Sequence, residues 1–129
     1  MTLNNEESED MFYNALCNAV GTGYMMGYGL MLEINDNHYS VVKESLAKKG
    51  QEHPCYEDIA MERLRMGYGL TMVDDEEGEY TRTITIKDVH ERVSKMPEQH
   101  LADMIGGTDD VITADVLIQT VFFEDIIFG

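Results

Sequence analysis

Met66-Gly67-Tyr68-Gly69-Leu70 repeats, residue for residue, a stretch forty positions earlier, Met26-Gly27-Tyr28-Gly29-Leu30. The later copy shows how such a stretch is used. Before it, from Pro54 to Met66, Ile59, Ala60 and Leu64 fall at helical spacing, with Arg63 and Arg65 near the end. Pro54 suits a first helical turn, where its missing N–H costs nothing. Gly67 suits the position after a helix, where a left-handed backbone costs glycine nothing. After it, Leu70 to Val73 reads as a strand, Asp74 to Gly78 as a turn and Glu79 to Ile84 as a returning strand. Thr85-Ile86-Lys87-Asp88 fits a capping box and predicts a helix to about Ser94.

The earlier copy has the same order. A helical run from about Glu6 to Val20 ends at Gly21-Thr22-Gly23. Tyr28 to Ile34 reads as a strand and Asn35-Asp36-Asn37 as a turn. His38-Tyr39-Ser40 then leads into a helical run from Val41 to Lys49, stopped by Gly50. These patterns predict an α+β fold in one compact domain over residues 1–129. It would contain two helix–β-hairpin–helix units, 6–50 and 54–95, related by internal repetition, and a C-terminal helical segment, 97–129. The competing explanation of the pentapeptide is convergence of two helix stops on Gly-Tyr-Gly. In the last segment, Pro97 to Ile105 reads as a short helix. Thr113 to about Asp125 reads as a longer one, with apolar residues on more than one side. The tail Ile126-Ile127-Phe128 is apolar enough to dock, either into the core or into a second copy as a homo-oligomer contact.

Charge is the most unusual property of the chain. Nine Lys and Arg stand against 25 Asp and Glu, a net charge of −16. All nine basic residues lie between Lys43 and Lys95; residues 1–42 and 96–129 have none. Such a chain repels nucleic acid and anionic membranes and attracts basic surfaces. No apolar run reaches the length of a membrane span, and the acidic N-terminus is wrong for a secretory signal, so a soluble, cytoplasmic protein is expected. Cys17 and Cys55 are too few for a disulfide scaffold and are expected as reduced thiols.

No stretch of the sequence carries a complete catalytic or metal-binding motif. Asp74 to Glu79 resembles a calcium loop in composition only. Placing Gly78 at the required sixth position puts Val73 first and Ile84 last, and neither is a ligand. Gly21-Thr22-Gly23 with Gly27-Tyr28-Gly29 matches neither a dinucleotide fingerprint nor a P-loop. His53 and Cys55 are the only local pair with metal or nucleophilic character, and His38, His90, His100 and Cys17 add no zinc spacing. No enzyme, cofactor or metal is therefore expected. The ten methionines are expected mainly as core filling, although Met also suits adaptable binding surfaces. Tyr28 and Tyr68 are expected to pack on the helix that each follows.

Small size, strong acidity, no catalytic signature and a compact α+β pattern together resemble the small acidic anti-defence proteins of bacteriophages and mobile elements, the anti-CRISPR and anti-restriction DNA mimics. The likeness is one of charge and size, and no residue role comes with it. It implies an inhibitor acting in the host cytoplasm on a basic nucleic-acid-binding surface of a host protein, without binding nucleic acid itself. The residues expected to carry that role are Glu6, Glu7, Glu9 and Asp10 on the first helix, Asp74, Asp75, Glu76, Glu77 and Glu79 in the turn, and Asp109 and Asp110. The rival readings are a self-associating assembly module, acidity that merely solvates the surface, and a nucleotide-binding protein.

Overall fold

The computed structural model describes residues 3–76, 78–107 and 110–128. The first helix, α1 (Asn5–Ala15), is opened by a capping box between Asn4 and Glu7 and runs on into a π-helical turn, Leu16–Val20. A 3-10 turn, Tyr24–Tyr28, leads to strand β1 (Leu30–Glu33), followed by α2 (Tyr39–Lys48) and α3 (Tyr56–Arg65). Strands β2 (Leu70–Asp74) and β3 (Arg82–Ile84) form a hairpin. They precede α4 (Ile86–Arg92), α5 (Glu98–Ile105) and α6 (Val111–Phe123). The α+β expectation for a single compact domain holds. Among the described residues no helix is long and apolar enough to cross a membrane.

The sheet differs from two separate hairpins. It has the order β1-β2-β3, all antiparallel, with Leu30 opposite Asp74, Leu32 opposite Met72 and Leu70 opposite Ile84. The first unit thus supplies one strand, and that strand pairs with the second unit. The reason lies at residues 35–37. The Asp36 carboxylate accepts the His38 N–H at 3.0 Å, and helix α2 begins at once with Tyr39, leaving no room for a returning arm. Arg63 of α3 reinforces the turn by donating to both Asp36 oxygens (2.8 and 2.7 Å) and, through Nε, to the Gly69 carbonyl (2.7 Å).

Local boundaries shifted for equally specific reasons. Pro54 lies ahead of α3 because a capping box between Cys55 and Asp58 sets the helix start. Strand β3 is shorter than Glu79–Ile84, since the Tyr80 N–H donates to Asp74 and the Arg82 guanidinium to the Glu79 carbonyl, which holds that segment in the turn.

Helix α6 is the centre of the molecule: every residue from Thr113 to Phe122 is buried. Around it pack Phe12 and Leu16 from the first helical run, Leu70, Met72 and Ile84 from the sheet, and Val89 and Val93 from the α4 region. Each large aliphatic side chain so buried contributes about 1.5–3 kcal/mol. The tail docks on its own chain. Gln119 Oε1 accepts the N–H groups of Ile127 and Phe128 at 2.7 and 2.9 Å, and the Phe128 ring stacks on Tyr28 with centroids 4.9 Å apart. Ile126 remains exposed.

The two copies of the pentapeptide take different shapes. In the earlier copy Gly29 holds the left-handed backbone, φ +79°, at the end of the 3-10 turn. In the later copy it is Gly67, φ +88°, directly after α3. Tyr68 packs as expected near its preceding helix, against Arg63, and stacks on His38 at 4.1 Å. Tyr28 instead turns to α6.

Candidate protein-interaction groove

Along β1 the alternation of the strand sends Leu30 and Leu32 into the core and Met31 and Glu33 outward. Two adjoining cavities follow the strand and share Met31, Leu32 and Tyr56 as walls. The larger, about 720 Å³, is shallow and bordered by Glu33, Asp75 and Tyr39. The smaller, about 310 Å³, is walled by Val20, Met25 and Leu30 and edged by Met26 and Glu57. No Lys or Arg lines either one. The Asp75 N–H donates to the Gly29 carbonyl at 2.9 Å, which brings the β2–β3 turn to the start of β1. Glu76 lies against Gly29, where an added Cβ would come within 3.0 Å of its Cγ.

Tyr56 fixes the floor between the cavities. Its hydroxyl donates to the Leu32 carbonyl at 3.4 Å, and burial, helped by the Glu57 charge, pushes its pKa up to about 12. The phenol is therefore a neutral donor at physiological pH.

The charges around this groove are unbalanced, and six of the nine Lys and Arg pair with acids away from it. Lys48 pairs with Glu44, Lys49 with Glu62, Arg63 with Asp36, Arg65 with Glu9, Lys87 with Glu91, and Arg92 with Asp88 and Glu124. Glu33, Glu57, Asp75 and Glu76 take part in none of these ion pairs.

The acids singled out from the sequence separate into different roles. Asp75 lines the groove, and Glu76 follows it, against Gly29. Asp74 is buried, and its carboxylate accepts the N–H groups of Glu76 and Tyr80, so it shapes the turn. Glu79 is exposed on that turn, while Glu77 and Asp109 lie outside the described residues. On α1, Glu6 and Asp10 are exposed and Glu7 caps the helix. Glu9 bonds Arg65 and His90, both at 2.8 Å; burial raises its pKa, but these two partners outweigh it and hold the carboxyl below its ordinary value. Asp10 borders a crevice that also holds Lys49 and Arg65, so this surface of α1 is not purely acidic. Asp110 caps α6 by accepting the Thr113 N–H at 3.0 Å, which lowers its pKa.

Sequence reasoning missed Glu33 and Glu57 because neither stands in a run of acids: Glu33 has no acidic neighbour, and Glu57 is paired only with Asp58 in a helix's first turn. The available signal was their position: Glu33 on the outward phase of β1 and Glu57 in the first turn of α3.

The thiols offer little chemistry. Cys55 sits among Asp58, Glu57 and Tyr13, and burial together with Asp58 raises its pKa. Burial likewise raises that of Cys17, with Glu57 adding to it. Both stay protonated and are poor nucleophiles. Among the described residues no group of three or more His, Cys, Asp or Glu could hold a metal ion. The groove's means of recognition are carboxylates, thioethers and tyrosine rings. Compared with protein families, with curated proteins and with solved structures, the chain matches none.

Proposed function

We propose that this chain is a non-enzymatic inhibitor, carried by a phage or mobile element, that occupies a Lys/Arg-lined nucleic-acid-binding surface of a host defence protein such as a CRISPR effector or restriction enzyme. The observation that carries the proposal is the set of three carboxylates, Glu33, Glu57 and Asp75, lining one groove that no Lys or Arg lines, with Glu76 next along the chain against Gly29. Desolvating that groove against a basic channel gives charge complementarity with fast, steered association. In this reading the carboxylates stand where phosphates would otherwise bind.

Self-association through the C-terminus has less support. Phe128 is stacked on Tyr28 and edge-on to Tyr80 within its own chain, and of the tail Ile126 alone is exposed, at 43%. Nucleotide binding is disfavoured by carboxylate borders with no cation, which repel phosphate.

The test is affinity capture from a nuclease-treated bacterial lysate at low and high salt, followed by mass spectrometry. The expected result is selective recovery of a nucleic-acid-handling protein at low salt, lost when Glu33, Glu57, Asp75 and Glu76 are changed to Asn or Gln. Recovery of the same proteins by that variant would overturn the proposal.

A further inference from the structure

The smaller cavity is not what a phosphate mimic alone requires. Its walls are apolar, and at its mouth Met26 is 62% and Met31 46% exposed, with Tyr24 beside this segment at 41%. Exposed thioethers grouped around an apolar recess mark adaptable binding surfaces, because unbranched Met side chains repack around a guest. The carboxylates at its edge and along the adjoining cavity then select the neighbours of that guest.

Resting on the reading that this acidic face binds a basic partner, we infer that the partner inserts one large apolar side chain, flanked by Lys or Arg, into the cavity walled by Val20, Met25, Leu30 and Tyr56. The flanking cations meet Glu57 at this cavity and Glu33 and Asp75 along the next. Strand addition to β1 is a poorer fit. Tyr56 already covers the Leu32 carbonyl, and Leu30 and Leu32 are 2% and 7% exposed, so the main chain at this edge is closed. Affinity therefore depends on the anchoring side chain.

The test uses the ¹⁵N-labelled full chain and three synthetic peptides of equal length: a Leu flanked by lysines, a Ser flanked by lysines, and a Leu flanked by glutamates. The Lys/Leu peptide is expected to shift the amides of Met25, Met31 and Tyr56 saturably. It should bind at least about tenfold tighter than the Lys/Ser peptide, the factor expected for burying one large apolar side chain. The Glu/Leu peptide should not bind. Met31→Lys, a change at an exposed position, should abolish the preference for Leu. Equal binding of the two lysine peptides would overturn the anchor and leave the acidic-face reading standing. Binding of the Glu/Leu peptide at the same strength, or of no peptide, would overturn both.

Discussion

The Tyr28 hydroxyl donates to the Asp115 carboxylate at 2.8 Å, joining residues 87 positions apart. This bond ties the first Gly-Tyr-Gly to the middle of α6. Gln119 donates to the other Asp115 oxygen at 2.9 Å and clamps the tail, so tyrosine, carboxylate, amide and C-terminus form one unit. Burial, and then Asp115, raises the pKa of Tyr28, so it remains a donor at any ordinary pH. Tyr28→Phe keeps the ring against Phe128 but deprives a buried carboxylate of a donor. The expected cost is about 1.5–3 kcal/mol in denaturant unfolding. A change below 0.5 kcal/mol would mean that the bond is not made.

The two pentapeptides should respond differently to the same substitution. Gly67→Ala places a side chain at φ +88° and is expected to cost about 1–2 kcal/mol. Gly27→Ala, the equivalent position in the earlier copy, lies in open space without a positive φ and should be neutral or slightly stabilising. Thermal melts of the two variants make the comparison, and equal losses would contradict the two conformations described.

Arg63 and Asp36 supply an acid-sensitive contribution. The hydrogen bonds from Arg63 hold the Asp36 carboxyl below its ordinary 3.8, the Arg63 side chain being 8% exposed and that of Asp36 24%. A carboxyl whose folded pKa is depressed stabilises the fold fully above its unfolded value and loses that stabilisation as pH falls through the folded value. Asp36→Asn should therefore cost about 1.5–3 kcal/mol at pH 7. The gap from the unaltered protein should hold down to about pH 4 and close toward pH 2. A gap that widens with acid would contradict the assignment.

Much of the architecture could be read from local chemistry. The Thr85–Asp88 capping box and the stops at Gly50 and Gly67 each act within a few residues, and the helices begin or end where they indicate. What escaped was set by distant partners. β1 pairs with β2, rather than within its own unit, because α2 starts directly after the Asp36 turn, which Arg63 reinforces by bonding Asp36 and Gly69. Tyr28 leaves its preceding helix because Asp115 waits in α6. The groove was half legible for the same reason. Asp75 and Glu76 stand out as a charged turn, whereas Glu33 and Glu57 join them only after the sheet has formed. Conversely, Asp74 and Asp110 look like surface charge in the sequence but serve backbone N–H groups.

The most direct measurement is competition, on the protein captured from lysate, between its labelled nucleic acid and this chain. The assay would use the unaltered protein and the variant Glu33→Gln/Glu57→Gln/Asp75→Asn/Glu76→Gln across a salt series. The account predicts displacement of the nucleic acid by the unaltered protein, weakening at least about tenfold as salt screens the contact. It also predicts little displacement by the variant, with both chains equally folded. Displacement by the variant as strong as by the unaltered protein, or displacement insensitive to salt, would contradict the claim that the β1 groove binds a nucleic-acid-handling surface through its carboxylates.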